Sequence, residues 1–207
     1  MIAATLLTDG SSDRVLIPIL RWLCGEWTTE AVEIRWADLT YLPRPPRTLT
    51  ERARVAVELH PCDLLFVHRD AEREPPEHRH LEVAEAVGSV VPWVAVVPVR
   101  MQEAWLLHEE QALREAAGRP AGREPLNLPP TQRVESLPDP KAVLHEALKT
   151  ASGTRGRRAQ AFSPARAAHR LADSIRDWSA LRTLSAFKRL EADTRAALQA
   201  LSIRSDG

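Results

Sequence analysis

Four short apolar runs, each followed by a segment with helical periodicity, constrain the fold of this chain more than any other feature. The runs span residues 2–8, 32–36, 63–67 and 93–99. The first, third and fourth are continuously apolar, as buried parallel strands are, whereas the second alternates apolar and polar residues. Strands that alternate with helices are joined by crossovers within one sheet. The order therefore predicts an α/β fold with a four-stranded, mainly parallel sheet flanked by helices.

Capping and turn residues set the expected bounds of the helices. One helix is expected to begin near Ser11 and to stop at Gly25, and another to begin at a cap on Thr50. A single helix is expected over residues 100–117. Residues 1–118 are therefore the predicted α/β core.

The C-terminal part of the chain has a different pattern. Residues 119–140 are rich in proline, which predicts a linker or an extended wrap. Helical patterns over 141–149 and 164–201 enclose a basic loop at 152–160. We therefore expect residues 141–207 to form a helical extension that packs on the core.

Charge is balanced over the whole chain but is unevenly distributed along it. The 28 basic and 28 acidic residues give a net charge of zero, which argues against a protein that binds polyanions over its whole surface. Residues 150–207, however, carry eleven basic and five acidic residues. Within this segment Arg155, Arg157 and Arg158 are expected to contact nucleic-acid phosphates, the alternative being an ordinary solvated surface.

The two cysteines, Cys24 and Cys62, provide neither a disulfide framework nor the spacing of metal ligands. This usage is typical of a reducing compartment, so a cytoplasmic location is expected. The first residues lack the pattern of a signal peptide, and the longest charge-free apolar stretch, residues 86–99, is too short to span a bilayer. No membrane partner is therefore expected.

Acidic residues follow three of the four predicted strands. Asp9 follows the first strand, Asp70 and Glu72 follow the third, and Glu103 lies just past the fourth. The carboxyl ends of parallel strands share one edge of a sheet, where such folds bind ligands. Clustered carboxylates need a cation, and all-oxygen ligands favour Mg²⁺ or Mn²⁺. The four acids predict a metal site, although each alone could be an ordinary turn residue or helix-start charge.

Three motifs in the same order resemble the Toprim domain, which occurs in topoisomerases, bacterial primases and OLD-family nucleases. They read DGSSD at 9–13, HRDAE at 68–72 and EAWLL at 103–107. They are most similar to an uncharacterised bacterial Toprim-like family, a domain of unknown function, in which the motifs read E-G-x-T-E, H-R-D-x-D and E-A-W-L-L. Relative to that pattern, Asp9 is one methylene shorter and Glu72 one methylene longer.

The resemblance implies a Toprim-like fold with one catalytic and metal-binding site. Asp9 would act as general base or metal ligand, Asp70 and Glu72 would bind Mg²⁺ (or Mn²⁺), and Glu103 would complete the site.

The resemblance also implies groups that hold the phosphate. Gly10 is expected to allow a tight backbone turn beside it. Arg69 or Arg100 is expected to stabilise charge in the transition state.

The function implied by the resemblance is metal-dependent hydrolysis of nucleic-acid phosphodiesters, with DNA favoured over RNA. Similarity to OLD-family nucleases further implies a role in defence against phage or mobile DNA, beside an ATPase partner. The sequence has no Walker A motif, so any ATP hydrolysis would belong to that partner. The alternative is a catalytically inactive Toprim-like module that binds nucleic acid or a protein partner.

Overall fold

A sheet of four parallel strands lies at the centre of the computed structural model, which describes residues 1–205. In chain order the strands are β1 (Ile2–Leu7), β2 (Val32–Trp36), β3 (Leu64–His68) and β4 (Trp93–Val96). Their order across the sheet is β2-β1-β3-β4, and all three pairings are parallel. The predicted four-stranded parallel α/β sheet is thus confirmed. Residues 206 and 207 of the predicted extension lie outside the described residues.

Alternating side chains of the central strands face two separate hydrophobic cores. Leu6 and Phe66 belong to one core, and their neighbours Leu7 and Val67 belong to the other. This is the two-residue period of a strand that is covered on both faces. Helix α1 (Leu16–Trp27) packs on the first face. Helices α2 (Leu49–Leu59) and α3 (Pro76–Val87) pack on the second.

Four of the five C-terminal helices join the first of these cores: α4 (Glu110–Ala116), α5 (Pro140–Ser152), α7 (Pro164–Ser174) and α8 (Ser185–Ser205). The short helix α6 (Arg157–Ala161) has no buried residue. The rings of Trp105 and Phe187 meet edge to face, with centroids 5.6 Å apart, and both are fully buried. Val134, from the proline-rich stretch, is buried in the same core. Within residues 1–205, no helix combines the length and apolarity that crossing a bilayer requires.

Three predicted helix bounds are wrong. Thr48, rather than Thr50, caps α2, where it forms a capping box with Glu51. Helix α1 continues through Gly25 to Trp27, and a 3₁₀ turn over Ser11–Val15 precedes it.

The expected single helix over 100–117 is divided into a 3₁₀ turn, Gln102–Leu106, and α4. All five residues of that turn are buried, so it cannot present the solvent-exposed face of an amphipathic helix. The turn brings Gln102 and Glu103 against the end of β3.

Candidate active site

A cleft of about 410 Å³ opens beside the carboxyl ends of β1 and β3. The strand order changes direction between these two central strands, and open α/β sheets bind ligands at such a switch point. Asp9, Asp70, Glu72 and Glu103 all line the cleft. The structure thus brings the four predicted acids to one place, together with the cationic side chains of Arg69, Arg79 and Lys141.

The carboxylate of Asp9 is bound by two arginines and not by the other three acids of the cleft. Arg52 of α2 donates to Oδ1 of Asp9, and Arg69, directly after β3, donates to Oδ2. Arg52 also donates to the carbonyl of Thr8. Both carboxylate oxygens of Asp9 are therefore already neutralised by guanidinium groups.

A buried histidine lies between two further carboxylates. His68 is 3% exposed, and its Nε2 lies 3.2 Å from Oδ1 of Asp70. Its Nδ1 lies 3.4 Å from Oδ2 of Asp13, an ion-pair contact whose geometry is poor for a hydrogen bond. One imidazole thus joins the end of β3 to the turn that follows β1.

The two carboxylates decide the charge of this histidine. Burial opposes a positive charge, but the hydrogen bonds and negative charges of Asp13 and Asp70 outweigh it and raise the pKa of His68 to about 9. Burial likewise opposes the charge of Asp13, yet His68, Ser12 and the Gly10 amide lower the pKa of that carboxyl. At neutral pH the group is therefore an imidazolium between two carboxylates.

Gln102, in the 3₁₀ turn that follows β4, links the same two carboxylates. Its backbone amide donates to Oδ1 of Asp70 at 3.1 Å, and its side-chain amide donates to Oδ1 of Asp13 at 2.9 Å. The Oε1 atom of Gln102 is buried and accepts no hydrogen bond within the described residues. Such a buried acceptor is suited to a water molecule or a cation.

Glu103 is a buried acid with one cationic neighbour. It is 5% exposed, and Nζ of Lys141 lies 3.4 Å from its Oε1. Burial raises the pKa of Glu103, and the negative charge of Asp70 acts in the same direction, whereas Lys141 opposes them. A further cation beside Glu103 would favour its charged form.

Glu72 lies in the tightest backbone turn of the site. Its φ of 55° is in the left-handed region, which a residue with a Cβ rarely adopts. Its amide donates to the carbonyl of Arg100 at 3.0 Å, and Arg100 donates back to the carbonyl of Glu72 at 3.2 Å. Arg100 thus fixes the turn, and it is not among the residues that line the cleft.

The prediction of a tight backbone turn at Gly10 is wrong. Gly10 is extended, with φ −152° and ψ 169°, a conformation open to any residue. A Cβ added there would meet its nearest neighbour, Oγ of Ser12, at an ordinary 3.8 Å. The position lines the cleft without requiring a glycine.

The basic segment lies apart from the cleft. Arg155, Arg157 and Arg158 are exposed, around a glycine at position 156 with φ 56° and the first residues of α6. None of the three is among the residues that line the cleft.

The donors in the cleft fit Mg²⁺ in chemistry but are not preassembled around an ion. The carboxylates of Asp70, Glu72 and Glu103 and the free Oε1 of Gln102 are oxygen ligands of the type this ion takes. Among residues 1–205, however, no three His, Cys, Asp or Glu side chains are grouped closely enough to hold a metal. A bound ion would have to draw these side chains together.

Several residues of the site were not predicted. Asp13 reads in the sequence as a helix-start charge, yet it is 6% exposed, forms an ion pair with His68 and accepts a hydrogen bond from Gln102. Arg52 reads as a surface residue of α2, and Lys141 as one of α5. A usable signal existed only for Asp13, which occupies the fifth position of the DGSSD motif.

A larger cavity, of about 970 Å³, lies between α3 and α8 beside β4. Much of its lining is alanine and valine, and its ionisable side chains are those of Glu77, His80, Arg189 and Asp193. The smaller cleft has nine ionisable residues among the thirteen that line it. The chemistry points to the cleft despite its smaller volume. Comparison with protein-family models, curated proteins and solved structures gives no match for this chain.

Proposed function

We propose that the cleft hydrolyses phosphodiester bonds of nucleic acid, DNA in preference to RNA, with the help of Mg²⁺ or Mn²⁺. The observation that carries this proposal is the convergence of Asp9, Asp70, Glu72 and Glu103, from three separate segments, on one cleft at the switch point of the sheet. The sequence likeness to Toprim domains supports the same chemistry. Defence against phage or mobile DNA, with an ATPase partner, is the setting that this likeness favours.

Three acids of the cleft, together with Gln102 and Arg69, would bind the cation and the phosphate. Asp70, Glu72 and Glu103 would hold the cation, with Oε1 of Gln102 as a further oxygen donor. The cation, when bound, polarises the phosphate and stabilises the leaving oxygen. Arg69 positions the phosphate through charge-assisted hydrogen bonds.

In this proposal Asp9 accepts a proton, and Glu103 and His68 keep the charges that the site needs. Asp9 takes the proton from the attacking water once it has left its arginines. Burial raises the pKa of Glu103, so a cation is needed to keep this acid charged beside Asp70. His68 fixes the orientation of Asp70 through the bond to its Oδ1.

A second candidate is a Toprim-like module that binds nucleic acid or a protein partner without cleaving it. Two observations favour it. The imidazolium of His68 already supplies a cation between Asp13 and Asp70. The described residues also hold no preassembled group of three metal-binding side chains.

One experiment separates the two candidates. The purified protein is incubated with plasmid, linear DNA and RNA, in Mg²⁺, Mn²⁺ or EDTA, beside the near-isosteric variant Asp70→Asn. Glu58→Gln, on the exposed surface of α2, is the charge-matched control. Cleavage that requires the metal, is kept by the control and is lost in Asp70→Asn supports hydrolysis. Metal-independent binding without cleavage in all three proteins supports the module.

A further inference from the structure

The ion pair between Asp9 and its two arginines has one movable member. The side chains of Arg52 and Arg69 are 18% and 22% exposed, whereas that of Asp9 is 48% exposed. Arg52 is further fixed by its bond to the carbonyl of Thr8, and Arg69 by an ion pair of 3.1 Å with Glu82. The guanidinium groups are therefore held in place, and the carboxylate of Asp9 is free to leave them for solvent.

The arginine pair is built for an anion with two oxygens. Each guanidinium donates to a different oxygen of the same carboxylate. The two unesterified oxygens of a phosphodiester carry one negative charge and accept the same forked hydrogen bonds. A phosphodiester that replaces the Asp9 carboxylate keeps the charge of this cluster unchanged, so the exchange leaves no guanidinium unpaired.

We propose that Arg52 and Arg69 are a clamp for a backbone phosphate of the substrate, and that Asp9 occupies this clamp when the substrate is absent. The inference rests on the proposed function, since it takes the ligand to be a nucleic-acid strand. Asp9 is then an internal competitor of the substrate. Its displacement also frees its carboxylate beside the bound phosphate, where the proposed general base is needed.

Open space on both sides of Asp9 can accommodate a phosphodiester with a nucleoside on each side. Asp9 and Gly10 line the 410 Å³ cleft and also a second cavity of about 250 Å³. The walls of the second cavity include Trp36 and Pro46. A phosphate in the clamp thus has room for one nucleoside in the cleft and another in the second cavity beside Trp36, whose ring also contacts the guanidinium of Arg14, 5.3 Å from its centroid.

The test measures binding without a metal, so that no cleavage takes place. Fluorescence anisotropy in EDTA follows a labelled single-stranded oligonucleotide bound to Asp9→Asn and Arg52→Gln. We expect the first variant to bind about tenfold more tightly, because a competing charge is removed. We expect the second to bind about tenfold more weakly, because a charge-assisted hydrogen bond is lost. The controls Glu58→Gln and Arg54→Gln, exposed positions of α2, are expected to change affinity by less than about twofold.

An acid at position 9 that only supports the fold predicts no gain in affinity. An acid that only repels the strand in EDTA predicts an equal gain for Glu72→Gln, at another acid of the cleft, whereas the clamp predicts a larger gain for Asp9→Asn. If Asp9→Asn binds no more tightly than Glu58→Gln, Asp9 does not compete with the strand and the proposal is overturned. Arg69→Gln repeats the weakening from the other side of the clamp, in case Arg52→Gln does not fold. Unchanged binding in a folded Arg52→Gln protein would equally remove this residue from the phosphate site.

Competition assigns the kind of phosphate. Unlabelled thymidine dinucleotide, thymidine monophosphate and inorganic phosphate are each titrated as competitors over the same range of concentrations. We expect the dinucleotide to displace the oligonucleotide at the lowest concentration, and equal displacement by inorganic phosphate would overturn the diester assignment. These measurements need no metal, so a protein that fails to cleave still passes or fails them independently of the proposed hydrolysis.

Discussion

Nε2 of His68 lies 3.2 Å from Oδ1 of Asp70, which makes a protein side chain the nearest cation to the acid at the end of β3. The opposite ring nitrogen faces Asp13 at 3.4 Å. A charged imidazole between two carboxylates stabilises the folded state only while it keeps its proton.

This arrangement gives the protein a pH-dependent stability. The pKa of His68 is about 9 in the folded state, above its unfolded value near 6.5. Its stabilising contribution is therefore complete below about pH 6.5 and is lost as the pH rises through about 9, a change of about 3 kcal/mol. Urea unfolding in EDTA at pH 6, 8 and 10 measures it. We expect His68→Asn to lack this loss and the exposed His78→Asn to keep it, and equal pH slopes in both variants would contradict the arrangement.

The variant Asp70→Asn tests directly whether the cleft binds a metal ion. Mn²⁺ that binds only the folded state raises its stability, by about 3 kcal/mol at a hundredfold excess over the dissociation constant. We expect Mn²⁺ to raise the melting temperature of the wild type and of Glu58→Gln, but not that of Asp70→Asn. A calorimetric titration with Mn²⁺ gives the dissociation constant. A melting temperature that rises equally in Asp70→Asn would place the ion elsewhere.

Substitutions at Glu72, whose backbone is left-handed, are expected to change the stability of the protein in a direction set by the new residue. A residue with a Cβ pays about 1 kcal/mol at φ 55°, and glycine does not. We expect Glu72→Gly to raise the free energy of unfolding by about 1 kcal/mol and Glu72→Val to lower it by at least as much. Arg73→Gly, at a neighbouring exposed position without positive φ, should not be stabilising. A lower melting temperature for Glu72→Gly than for Arg73→Gly would contradict the strain assigned to the backbone of Glu72.

The edge-to-face pair of Trp105 and Phe187 joins the C-terminal helix to the turn that carries Gln102 and Glu103. Truncation of a buried phenylalanine leaves a cavity, so we expect Phe187→Ala to lower the free energy of unfolding by about 4 kcal/mol. Ile203→Ala, at a residue 75% exposed, should leave it nearly unchanged. Because one core holds both rings, unfolding by urea is expected to be a single transition by fluorescence and by circular dichroism alike. Two separated transitions would show that the extension folds apart from the sheet.

The sequence predicted the sheet because its signal is local. Leu64, Leu65 and Phe66 lie in one apolar run, and each needs only its neighbours to be recognised as part of a buried strand. The convergence of acids on one edge was also predictable, since parallel strands carry their carboxyl ends to the same side. The division of the expected helix between Leu106 and Glu110 was not, because it depends on burial imposed by distant helices.

The hydrogen-bond and ion-pair partners of the acids could not be predicted from the sequence, because they too lie far away along the chain. Gln102 and Asp13 are 89 residues apart, and Asp9 and Arg69 are 60 residues apart. Nothing in the neighbourhood of an arginine on an exposed-looking helix distinguishes Arg52 from Arg54. Only the folded chain shows that Arg52 faces the end of β1. An acid pattern therefore predicts where a site lies, while the pairing of each acid decides what it can do.

The central place of β1 in the sheet also sets the order in which the protein can assemble as it is made. This strand leaves the ribosome first, but one of its two neighbours, β3, follows about sixty residues later. At roughly 5 to 20 residues per second, Asp9 waits roughly 3 to 12 s for Arg69 to be synthesised. During that interval the nascent chain exposes an apolar strand with an open edge. Of the two central strands, β1 is therefore the one that stays unpaired on one edge for longer while the chain is made.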